Sequence, residues 1–95
     1  MPITASDLKH QDLAGRLANV EGELLHRFDV SYDVKHVHAA TRLDEVFTPH
    51  QRAAQLQHTL ARHFLFLTVE SAATCLRQSA TVQQLVYAIV QRAGC

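Results

Sequence analysis

Residues 41–64, TRLDEVFTPHQRAAQLQHTLARHF, are the stretch around which the rest of the chain falls into place. Its first part reads as the end of a loop and its second as a helix. The Thr48 hydroxyl can cap that helix, and Pro49 fits the first helical position, where no backbone N–H is needed. Ala53, Leu56, Leu60 and Phe64 come next at steps of three, four and four, which puts them on one apolar stripe. A helix from 49 to about 66 is expected, with Leu65, Phe66 and Leu67 extending its apolar end.

Upstream, Leu13, Leu17, Val20, Leu24 and Phe28 step by four, three, four and four along a long first helix. Ser6 or Asp7 is a candidate start for it, which leaves residues 1–6 as a flexible arm. Gly15 and Gly22 weaken the helix by roughly 1 kcal/mol each relative to alanine, so it depends on packing, and Gly22 is a candidate for close approach of a neighbour. His26 stands near the expected end of this helix, where a cation suits the dipole. Residues 29–40, DVSYDVKHVHAA, alternate like a strand but have no partner strand. They read as a long extended loop that lays Val30, Val34 and Val37 on the core.

Downstream, Thr68 or Glu70 opens a short third helix ending near Arg77, with Val69, Ala72, Ala73 and Leu76 inward. The last helix carries the clearest signal. Thr81 and Gln84 have capping-box spacing, Val82, Leu85, Val86, Ile89 and Val90 form its buried face, and Gly94 is a natural terminator. The expectation is an all-α fold. It is a small four-helix bundle in one domain over 1–95: a long helix, a long loop, a second helix, a short third and a fourth.

This order, and the frame of residues 41–64, resembles acyl and peptidyl carrier proteins. That family reads roughly T-x-L-x-x-L-G-x-D-S-L into its second helix. Thr41, Leu43 and Val46 fit the apolar frame, and the ending TVQQLVYAIV is similar to the start of the family's last helix. The resemblance covers about residues 13–92. The chemical positions differ: Phe47 stands in place of the glycine, Pro49 of the aspartate, His50 of the serine and Gln51 of the leucine. The spacing from Phe64 to Thr81 is also about three residues longer than the family's usual spacing. Carriers hang a phosphopantetheine arm from the serine hydroxyl, and an imidazole cannot form that phosphodiester. The resemblance therefore implies a degenerate member with no cofactor.

Composition narrows the function. The 95 residues are 47% hydrophobic, with three glycines, two prolines and no tryptophan. Net charge is zero but polarised. Residues 1–48 hold eight acids and five Lys/Arg, and residues 49–95 hold Glu70 and four arginines. Seven histidines add charge below about pH 6.5. No dense basic patch speaks for nucleic acid. Cys75 and Cys95 make no disulfide framework, Cys75 reading as a core residue and Cys95 as exposed. No signal-peptide run and no membrane-length apolar stretch is present. The expected setting is cytoplasmic.

The candidate partner-binding residues are His50, Arg52, His58, Arg62 and His63, on a second helix that carries no acid. Carriers usually present an acidic second helix, so the reversed sign implies an acidic protein partner, such as a genuine carrier or a biosynthetic enzyme. His58 and His63 lie about 140° apart on a helix, and His36 with His38 offers only weak chelation, so no metal site is expected. No nucleophile–base or carboxylate pair can be placed, so the chain is not read as an enzyme. The expected function is that of a non-enzymatic interaction or regulatory protein in fatty-acid, polyketide or peptide biosynthesis. The alternatives are a true carrier modified at another hydroxyl, and an unrelated helical module dimerising through Leu65–Leu67.

Overall fold

The computed structural model describes residues 2–93, and helices account for about 71% of those residues. Among those residues there are α1 (Ala5–Lys9), α2 (Leu13–Tyr32), α3 (Leu43–Val46), a π-helical turn (Gln51–Gln55), α4 (Leu56–His63), α5 (Val69–Gln78) and α6 (Val82–Arg92), and no strands. The all-α expectation holds. Cys95 and the proposed stop at Gly94 lie outside the described residues.

The first helix is two helices. Thr4 caps α1 reciprocally with Asp7, and Asp12 restarts the chain by accepting the Gly15 N–H at 2.8 Å. Arg16 spans the break, donating to the carbonyls of Leu8 at 2.9 Å and Lys9 at 3.3 Å. Those carbonyls end α1, and the Leu8 carbonyl also accepts from the Gln11 N–H at 3.1 Å. The segment expected as an arm is tied down: the Ile3 N–H donates to the His63 carbonyl and the Ile3 carbonyl accepts from Leu65, both at 2.8 Å. Leu13, expected on the stripe, is exposed, because the apolar face meets a neighbour only from Leu17 onward. No heavy atom lies within 4 Å of where a Gly22 side chain would begin, so that glycine does not mark a close approach.

α2 also runs further than its sequence suggests. It continues to Tyr32 and ends at Asp33, whose left-handed φ of 55° lets the Val34 N–H reach back to the Phe28 carbonyl. His26 is therefore six residues inside the helix and Val30 is exposed on it, rather than lying on the core. The added turn places Tyr32 against Phe47, ring centroids 5.3 Å apart and nearly perpendicular. Tertiary contact of this kind outweighs the β-branched local preference of the segment.

The loop after α2 finishes the cap of α6. The first N–H groups of any helix lack intrahelical acceptors. Here the carbonyls of Thr41 and Ala39 accept from Val82 at 3.0 Å and Gln83 at 2.8 Å, and the Thr81 hydroxyl accepts from Gln84 at 3.3 Å. The Gln84 side chain turns to the Ala80 N–H at 2.7 Å, not to Thr81, so only half of the expected capping box forms. α4 packs on α5, α5 on α6 and α6 on α2. The five predicted inward residues of α6 are all buried, as are Ala72, Cys75 and Leu76 of α5, while Val69 is 38% exposed. Burial raises the Cys75 thiol above its ordinary value, partly offset by Arg92, which keeps it an inert core group.

Candidate interaction face

The helix over 49–63 begins as expected. The Thr48 hydroxyl accepts from the Gln51 N–H at 3.1 Å while the Gln51 side chain accepts from the Thr48 N–H at 2.9 Å, and Pro49 takes the first helical position. The turn at Gln51–Gln55 then widens to π geometry, a form often found at functional sites. The wider turn rotates the upstream residues relative to the downstream ones. Leu56, Leu60 and Phe64 are buried as the stripe predicts, but Ala53 is exposed.

The five predicted face residues separate into three groups. His50, His58 and Arg62 are exposed. Arg52 is half-buried beside α5, and its Nε is closed off from solvent without a hydrogen-bond acceptor. His63 is half-buried at the other end, with Nδ1 equally enclosed and unpartnered. Burial, chiefly, and then the Arg27 charge hold the His63 imidazole below its ordinary 6.5, against an opposing pull from Glu23. His63 therefore resists the positive charge that the sequence assigns to it. Among the described residues, no ion pair engages Arg52 or Arg62. Asp44 feels the Arg52 charge, but its carboxylate is held low first by Arg42, bonded at 3.1 and 3.3 Å.

The hydroxyls around His50 and on α5 are engaged in local structure. Thr48 caps its own helix, Thr41 accepts from the His38 N–H at 2.9 Å, and Ser71 bonds reciprocally with Thr68. Ser79 is buried. Phe47, at the glycine position of the carrier frame, is 2% exposed and packs edge-on against Phe28 at 4.8 Å.

The sequence reading missed a groove of about 250 Å3 between the π turn and α5, lined in part by Pro49, Arg52, Ala53, Ala73, Leu76 and Arg77. Facing small residues, Ala53 and Ala73, are its only trace in the sequence, and neither stands out without the fold. No group of three or more histidine, cysteine or acidic side chains with metal-binding placement occurs among the described residues. None of the described helices is long and apolar enough to cross a membrane. No family model, curated protein or solved structure matches the chain.

Proposed function

We propose that this chain is a non-enzymatic, carrier-like interaction protein without a prosthetic group. It docks an acidic protein, such as a genuine carrier, in fatty-acid, polyketide or peptide biosynthesis. The carrying observation is the helix over 49–63, which has no acid and holds out His50, His58 and Arg62 with no ion pair to them among the described residues. A partner that brings carboxylates to this face gains association rate and orientation from charge complementarity.

Support for the carrier-like frame is the order of long helix, loop, helix over 49–63, α5 and α6, with His50 in the first turn of the second of these helices. The added α1 and α3, and the ten residues of α5, depart from the family's simplest pattern. The absent serine and the engaged Thr48 hydroxyl support a chain without an arm.

Two measurements test this reading. Co-expression with a broad phosphopantetheinyl transferase should leave the intact mass unchanged. A mass raised by one arm overturns it. Calorimetric titration with an acidic acyl carrier protein at low salt should give saturable binding that Arg62→Glu with His58→Glu abolishes. Flat titrations with intact protein overturn the docking role.

A further inference from the structure

The groove between the π turn and α5 combines two kinds of lining. Pro49, Ala53, Ala73 and Leu76 give it apolar surface, while Arg52 and Arg77 bring two positive charges and no acid lines it. Arg52 Nε is enclosed without an acceptor, a costly arrangement that a carboxylate in the groove relieves once the Arg52 side chain turns toward it. Arg77 is steadied on its own helix, where a terminal nitrogen donates to the Thr74 hydroxyl at 3.1 Å. Asp44, the acid whose titration senses Arg52, is already bonded to Arg42 and does not line the groove.

Two guanidinium groups beside an apolar lining match one chemical pattern, a carboxylate on a short apolar stem. A bare anion leaves the apolar lining uncovered, and an uncharged tail leaves both arginines without a counter-charge. A carboxylate between two guanidinium groups can accept several charge-assisted bonds at once. A groove of about 250 Å3 suits a single inserted side chain rather than a whole helix.

We propose that this groove receives one carboxylate side chain, a glutamate, of the acidic protein partner. The carboxylate sits between Arg52 and Arg77 and its methylenes lie against Ala53, Ala73 and Leu76. The inference rests on the docking role above and specifies where the partner is anchored. His50, His58 and Arg62 then act as a peripheral steering surface, and the groove supplies the anchoring contact.

The test uses the intact chain and pentanoate, which carries the glutamate carboxylate on an apolar stem. The Nε–H signals of Arg52 and Arg77 are tracked by 15N NMR. Pentanoate should shift both signals saturably, and 1-pentanol, with the same stem and no charge, should not. Arg52→Lys keeps the charge but loses Nε and the planar fork, and Arg77→Gln loses a charge. Each should weaken pentanoate binding about tenfold, the size of one charge-assisted hydrogen bond. Equal shifts from pentanol, or pentanoate binding indifferent to both variants, overturn the pocket. Carrier binding that ignores both variants overturns the assigned occupant yet leaves the docking role standing. A chain that answers pentanoate but binds no acidic protein overturns the occupant through failure of the docking role itself.

Discussion

The hydroxyls of Tyr32 and Thr59 meet at 2.9 Å and join the last turn of α2 to the middle of α4. Thr59 also reaches the Gln55 carbonyl at 3.4 Å, beside the π turn. Tyr32→Phe removes the interhelical bond and keeps the ring contact with Phe47. It should cost about 1 kcal/mol, the net worth of one hydrogen bond. Urea unfolding would show this, and an unchanged midpoint would mean the bond adds nothing to stability.

Phe47 offers a sharper contrast with the carrier frame. Phe47→Gly, which places the glycine of that frame here, removes a ring that is 2% exposed and packed on Phe28 and Tyr32. The expected loss is about 3–5 kcal/mol, as for other buried phenylalanine truncations, with extra backbone freedom on top. The variant should unfold at much lower urea. Wild-type-like stability would show that the aromatic cluster is dispensable.

His63 should make the fold sensitive to mild acid. Its folded pKa lies below 6.5, so the unfolded chain binds the proton more readily. Stability from keeping the ring neutral is complete above about pH 6.5 and declines as pH falls toward the lowered folded value. His63→Gln should flatten the part of the stability–pH curve between about 7 and 5 that this group causes. A variant with the parent's slope would assign the effect to other groups.

Docking should weaken with salt. An acidic carrier drawn to the face of His50, His58 and Arg62 by charge should bind less tightly as ionic strength rises. His63 contributes little to that attraction, because burial disfavours its charged form. Arg62→Gln should therefore reduce the salt response more than His63→Gln. Equal responses would remove this division of roles.

Thr48→Ala removes the acceptor for the Gln51 N–H and should cost about 1 kcal/mol, in the usual range for losing an N-cap. The loss should appear in urea unfolding and, locally, as faster amide exchange at Gln51. Exchange at the parent's rate would show that the Gln51 side chain alone holds the turn.

The features legible in the sequence were those determined within a few residues. Thr48, Thr68 and Thr81 each cap the helix immediately downstream, as hydroxyl spacing allows. The buried stripe of α6 was equally plain, because its period matches a regular helix packed along its length. Leu13 and Val69 were misplaced because periodicity identifies a face but not where a neighbour covers it, and Val30 because an extended loop was expected where α2 continues. The split between α1 and α2 has a local cause in the Asp12 cap and a non-local one in Arg16, which reaches eight residues back to the Leu8 carbonyl. The candidate face was half legible. Its residue types marked the helix, but the inward turns of Arg52 and His63 depend on α5 and α2, which a linear reading cannot position.

The π turn separates the helix over 49–63 into two sections that differ in rotational phase. Residues before it can vary to suit a binding partner without re-aiming Leu56, Leu60 and Phe64, which anchor the core from the far side. One continuous helix thus carries two independent angular settings, one for what it offers outward and one for what it packs inward.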